Sequence, residues 1–317
     1  MPQVIAGRTG LTARAGHLYP ASGTIPPKGV DAVAHQLIQV EEQDGVLIIT
    51  LDDPKTRNAI GPEMYAEISA ELDRLESDPN LRCLLITGRD PAFCSGANVR
   101  GMARTVEERE AVRGRPELAP KPWDEIERRL KETPAESPGF YDVRNLPVRL
   151  HRLQKPSIAA INGYAMGLGL GIALSCDIRI ASERAGLSET FIQRGLIPAD
   201  GSCWQLPRMI GLTNTFYMQY TGDIIDPETA LRIGLVSRVV PHDRLMDEAL
   251  ALARRLAAGP TYAMGLIKWL VHYSLHSTFE ESMRVAGVVQ EIARDTHDHR
   301  EGVQAFLEKR PPRFIGR

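Results

Sequence analysis

Two glycine-centred stretches carry the residues best placed for chemistry in this chain. The first, residues 91–100 (PAFCSGANVR), follows a branched-aliphatic run that ends at Gly88. The second, residues 162–171 (NGYAMGLGLG), also follows an apolar run and opens into an apolar helix. Small residues after a buried strand let a ligand approach the backbone closely. At a helix start the first N–H groups have no partner within the helix and lie at its positive end. Each stretch is therefore able to offer one backbone N–H to an oxygen that gains charge during a reaction. Tight packing of a helix on a sheet would account for the same glycines, so the spacing alone leaves both readings open.

Such turns need strands to deliver them. Residues 46–51 (VLIITL) and 83–88 (CLLITG) have the short, branched-aliphatic character of buried strands. Between them, residues 63–76 place Ile68, Leu72 and Leu75 on one helical face. A third buried run covers 157–161 and leads into Asn162-Gly163, and a fourth covers 177–181. Strand, helix, strand repeated in this way predicts right-handed βαβ units with helices covering a parallel sheet.

Residues 103–150 break the rhythm with dense charge and five prolines among 116–138, and read as an insertion with one helix near 123–132. The second half turns helical. Asp226-Pro227-Glu228 is a helix start, with a side-chain cap, proline at the first position and an acid in the first turn. Gly234 stops that helix, and further helices are predicted over 245–256, 262–275 and 279–294.

Composition narrows the function classes. The chain has 317 residues, 43% hydrophobic and 25% charged, as in ordinary soluble domains. A formal net charge of −2 gives no footing for a nucleic acid partner. No apolar run approaches the ~20 residues of a membrane span. Cys83, Cys94, Cys176 and Cys203 are spaced for neither zinc nor a disulfide framework. The first three read as small buried hydrophobes, which suits a reducing compartment, the cytoplasm or an organelle matrix. Residues 1–30 lack Asp and Glu and are rich in glycine and proline, so a flexible tail is expected over 1–35.

The two glycine stretches, extended to PAFCSGANVRGM and INGYAMGLGLGIALSCDIRIAS, resemble the two oxyanion segments of the crotonase (enoyl-CoA hydratase/isomerase) superfamily. The early LDDPKTRNAIGPEM resembles its opening loop. GLIPADGSCWQLPRMIG, TGDIIDPETALRIGLVSRVVP and EGVQAFLEKRPPRF resemble later segments in the same order. The resemblance runs from about residue 38 to the C-terminus, with 103–150 longer than usual.

That resemblance implies an α/β fold, a spiral of ββα turns over 36–225 with a C-terminal helical trimerisation region over 226–317. It implies a homo-oligomer, trimer or hexamer, acting on an acyl-CoA, with coenzyme A part of the substrate and no separate cofactor or metal. The oxyanion donors become the backbone N–H groups of Ala97 and Leu168. Positions matching coenzyme A contacts are Lys55 and Arg57 in the opening loop and Arg100 after the first turn. Phe306 and Lys309 match positions that reach a neighbouring subunit's ligand.

The acids depart from the hydratase pattern. Hydratases of the family place two glutamates around one water, and the matching positions here are Gly171 and Phe191, neither able to carry a proton. Asp200, in Pro198-Ala199-Asp200-Gly201, stands where isomerase, hydrolase and dehalogenase relatives carry an acid, although Asp before Gly is also ordinary turn chemistry. Glu189 would reach the second glutamate's place only through a two-residue insertion, and otherwise reads as a solvated or capping acid. From the insertion, Glu127, Tyr141 and Arg144 are candidates to line the acyl pocket. His151 and Trp204 read as packing residues. The expected reaction is enoyl-CoA isomerisation, a proton moving along a thioester enolate. A hydrolase or C–C hydrolase using Asp200, and a non-catalytic acyl-CoA-binding protein, are the alternatives.

Overall fold

The computed structural model describes residues 35–98, 126, 131–132 and 145–317. The expected N-terminal tail, Arg100, Glu127, Tyr141, Arg144 and most of the expected insertion lie outside the described residues; of the helix expected near 123–132, residues 126 and 131–132 are described and are helical.

Two sheets carry the chain, the smaller parallel and the larger parallel except for its first strand. In the larger sheet, β1 (Ile38–Gln43) runs antiparallel to β2 (Val46–Leu51), joined at Asp44 and Gly45, both with positive φ as a tight hairpin turn requires. From β2 the chain passes through α1 (Pro62–Ser77) to β3 (Cys83–Gly88), parallel to β2. Three further parallel strands, β5 (Ser157–Ile161), β7 (Ile178–Ser182) and β9 (Arg238–Val240), complete the order β1-β2-β3-β5-β7-β9. After β3, β5 and β7 the chain makes a second, three-residue strand: β4 (Ala92–Cys94), β6 (Tyr164–Met166) and β8 (Gly186–Ser188). These pair in parallel as the order β4-β6-β8. Each turn of the chain thus gives one strand to each sheet, the expected spiral of ββα turns.

Alternation along the large sheet sorts its side chains onto two faces. Val46, Ile48, Cys83, Leu85, Ile158, Ala160 and Ile180 pack against α6 (Leu245–Ala257) through Leu245, Ala249, Leu252, Ala253 and Ala257. Leu47, Ile49, Leu51, Leu84 and Ile86 face the other way, onto Met64, Ile68, Leu72 and Leu75 of α1 and onto Phe93 of the small sheet. Both faces are covered, so the strands read as continuous apolar runs.

Further helices among the described residues are α2 (Asn145–Arg152), α3 (Leu168–Ser175), α4 (Ser202–Thr221), α5 (Pro227–Arg232), α7 (Thr261–Ser274), α8 (Phe279–Arg294) and α9 (His297–Leu307). Asp226 caps α5 by accepting the Thr229 N–H at 2.8 Å, as its sequence predicts. The periodicity missed α4, because Pro207 and a kink at Gly211 (φ 75, ψ 166) interrupt it. It also missed α9, capped by Thr296 and anchored by buried Asp298, which accepts the N–H groups of Ile315 and Gly316. Among the described residues no helix is long and apolar enough to cross a membrane.

Candidate active site

The three short strands of the small sheet lie side by side and run the same way, so the segments after them emerge at one end. After β4 come Gly96 and Ala97; after β6, Gly167 and Leu168; after β8, Glu189. The C-terminal ends of parallel strands are where open α/β sheets hold ligands.

Ile60 forms a parallel bridge to Ala97, donating its N–H to Gly96 O at 2.8 Å and accepting from Asn98 N–H at 2.9 Å. In a parallel bridge the middle residue's own N–H and C=O face away from that partner, so the Ala97 N–H points away from Ile60. Leu168 is the first residue of α3, after Gly167 at φ 50, and its N–H has no intrahelical acceptor. The glycines beside both donors are where the turns meet. A Cβ on Gly96, whose φ is 106, would lie 2.8 Å from Met166 O and 3.8 Å from Leu168 N. A Cβ on Gly169 would collide with Cys94 O. Side-chain room at either position would push the segments apart.

Two buried asparagines hold the first turn in place. Asn58, fully buried, donates from Nδ2 to Arg89 O at 2.9 Å and Ala92 O at 2.7 Å, and its Oδ1 accepts the Asp53 N–H. Asn162 accepts the Gly88 N–H at 3.2 Å and donates to Asp90 Oδ1 at 2.8 Å. The opening loop is stitched on as well. Ser95 N–H donates to Arg57 O at 3.0 Å, and Ser95 Oγ to Thr56 O at 2.7 Å.

The acids come together. Asp200 is 2% exposed and Glu189 0%. Buried Ser202 stands between them, its Oγ 2.7 Å from Asp200 Oδ1 and 3.1 Å from Glu189 Oε2. Asp200 Oδ1 also accepts the Ser202 N–H, so the carboxylate both makes its Asx turn and faces inward. Gly171 explains where Asp200 sits: a Cβ there would fall 2.5 Å from Asp200 Oδ2 and 2.8 Å from its Cβ. The aspartate thus fills the space that a side chain at 171 would take. Among the described residues, Asp200 Oδ2 and Glu189 Oε1 have no hydrogen-bond partner. Burial raises the pKa of Glu189 well above the usual carboxylate range, Asp200 adding to it by like charge; burial raises that of Asp200 too.

Glu189 therefore departs from its sequence reading. It is neither solvated nor capping, since it makes no side-chain cap bond to the short 3-10 turn Thr190–Arg194 that it precedes. It follows β8 directly, at the same sheet end as the two glycine turns. Phe191 lays its ring against Gly167, 3.4 Å from a Cβ built there.

The other predicted residues are more dispersed. Lys55 and Arg57 lie in the opening loop, both exposed. Phe306 is 82% exposed near the end of α9, with Lys309 exposed just beyond. Trp204 is half-buried rather than core: its ring meets His151 edge-on at 5.2 Å, with the Arg208 guanidinium 4.1 Å from its centre. His151 does pack, stacked on His272 at 3.9 Å, and burial with that neighbour holds its pKa down to about 4. Cys83, Cys94 and Cys176 are buried as read; Cys203 is exposed. Sequence reasoning missed Ser202, Asn58 and the room made by Gly171. The only trace of Ser202 was a small residue two positions past the aspartate of an Asp-Gly turn.

The chain matches known proteins over most of its length. The family model described as enoyl-CoA hydratase/isomerase matches residues 41–129 and 124–317. The chain is 35% identical over 275 residues to the 1,2-epoxyphenylacetyl-CoA isomerase of Escherichia coli K12, covering 87% of this chain and 97% of the relative. It is 29% identical to the crotonyl-CoA hydratase of Syntrophomonas wolfei, covering 90% of this chain and all of the relative. Among solved structures, an enoyl-CoA hydratase subunit of Geobacillus kaustophilus superposes with a TM-score of 0.73 at 31% identity, over 89% of this chain and 99% of that one. With the spiral fold and these matches together, the chain belongs to the enoyl-CoA hydratase/isomerase family of the crotonase superfamily.

Proposed function

We propose that this enzyme is an acyl-CoA isomerase in which Asp200 moves a proton along a thioester enolate. The Ala97 and Leu168 N–H groups hold the thioester oxygen. As the C–H bond breaks, charge grows on that oxygen, and fixed donors stabilise it without reorganising; losing one such donor costs about 3–4 kcal/mol in turnover. The carrying observation is the single free oxygen of Asp200, buried against Gly171 three residues past the Leu168 donor. A buried carboxylate with a raised pKa is a stronger base than a solvated one, which suits removal of a weakly acidic carbon-bound proton. The isomerase name of the E. coli relative supports the same reading.

Lys55, Arg57 and Arg100 would meet the phosphates of coenzyme A as cations. Phe306 and Lys309 would complete the site of a neighbouring subunit. An oligomer is supported by exposed apolar side chains on α4, α7 and α8, among them Phe216, Ile267, Val271, Phe279 and Met283. The buried thiols suit a reducing compartment such as the cytoplasm.

One observation favours a second reading. Glu189 and Asp200 make two adjacent acids, the number that hydration of an enoyl thioester uses. Assay separates the two: conversion of a 3-enoyl to a 2-enoyl thioester without water uptake supports isomerisation, and efficient hydration of crotonyl-CoA overturns it. Asp200→Asn should lower turnover by about 100-fold or more while coenzyme A affinity is kept. Unchanged turnover would remove Asp200 from the chemistry.

A further inference from the structure

We propose that Ser202 is a positioning residue that assigns the two buried acids their roles, leaving Glu189 with the resting proton and Asp200 ionised with Oδ2 free. This deepens the reading of Asp200 as proton carrier and rests on it. Ser202 Oγ lies within hydrogen-bond reach of both Glu189 Oε2 and Asp200 Oδ1 but has one hydrogen to give. Were both carboxyls ionised, one of those contacts would set two oxygens together with no hydrogen between them. A proton on one carboxyl completes the row. Asp200 Oδ1 receives the shorter hydroxyl contact and the Ser202 backbone N–H besides, so the anion is better held there. Among the described residues Glu189 has no second donor. The row therefore runs from Glu189 O–H to Ser202 Oγ, and from Ser202 O–H to Asp200 Oδ1.

This arrangement follows the logic of a base oriented through an intermediate group by a third. Among the described residues neither acid has a salt-bridge partner that could fix its charge instead. Cys203, exposed beside them, is a further titratable group that senses both. Gln205, the next polar side chain, donates to Ser175 Oγ at 3.0 Å. In the reaction, the substrate C–H bond breaks, its electron pair enters the enolate, and the proton bonds to Asp200 Oδ2. As the enolate collapses, the same proton leaves Oδ2 for a different carbon. Glu189 keeps its own proton throughout, so no further reactant is needed.

Infrared difference spectroscopy of the ligand-free, full-length protein at neutral pH reads the roles without any substrate. A protonated-carboxyl band should be lost in Glu189→Gln and kept in Asp200→Asn. A wild type lacking that band, or a band lost in D200N and kept in E189Q, overturns the assignment. Turnover of trans-3-hexenoyl-CoA adds a second reading. Ser202→Ala should lower kcat by about 10- to 100-fold with KM nearly constant, and move the acidic limb of the pH profile upward. Ser202→Thr, which keeps the hydroxyl, should restore most of it. An unshifted limb in folded S202A sinks the role of Ser202, and if S202A fails to fold, the infrared contrast decides alone. Unimpaired D200N would instead sink the underlying proton-carrier reading.

Discussion

The two sheets of this molecule are built on opposite rules. The six-stranded sheet is held by side chains: branched aliphatics alternate across its two faces and are buried on both. The three-stranded sheet is held by main chain. Its strands are three residues long, its neighbours approach where a Cβ would collide, and amide side chains clip its loops. The Ala97 and Leu168 donors and Glu189 follow strands of the second, while Asp200 and Ser202 come to it from the start of α4. Apolar burial tolerates some change of shape, whereas a backbone contact tolerates almost none. A stable sheet and a catalytic one therefore need different residues even when they share consecutive strands.

Substitutions at matched places can break that contrast. The largest effect is expected at Gly169→Ala, where the added Cβ meets Cys94 O. Displacing the Leu168 donor should cut turnover by about 100-fold or more, and a variant with wild-type kcat would refute the backbone rule. In the large sheet, Ile86→Ala should cost about 2–5 kcal/mol of stability in urea unfolding. Its turnover per folded molecule should stay near wild type, so a lost kcat in folded protein would mean the frame and site are not separable. Asn58→Ala lies between them. Leaving the carbonyls of residues 89 and 92 without their donor should cost about 1–3 kcal/mol and lower turnover as well.

The smallest effect concerns the acids and depends on pH. Both carboxyls have folded-state pKa values raised by burial. Their protonated forms therefore favour folding below the ordinary carboxylate range, and that contribution is lost as pH rises through the raised values. Thermal melts of E189Q should accordingly exceed wild type by a few degrees at neutral pH, with the gap closing under acid. An unchanged gap across that range would show that Glu189 carries no shifted proton.

Legibility followed the same division. Residues 46–51, 83–88 and 157–161 were found as strands because burial on both faces leaves a continuous apolar run, and α1, α6, α7 and α8 because one face repeats or a cap marks the start. Strands β4, β6 and β8 are too short for any period to register, although the glycines flanking them marked where the chain must come close. Asp200 was legible as a turn aspartate with a second possible use. Glu189 was misread as solvated because its burial depends on which strand end it follows, a fact absent from its neighbours in sequence.

By itself the chain's sequence determined that buried strands alternate with covering helices, that two glycine turns follow two of those strands, and that an aspartate sits in a turn before a glycine at 200–201. Those properties are local, set by side-chain size, branching and spacing along one segment. Only the tertiary structure decided that the turns share one sheet end, that Asp200 fills the room beside Gly171, and that a serine separates it from Glu189. These facts join residues from different turns of the spiral, and no local preference encodes which strand ends fall side by side.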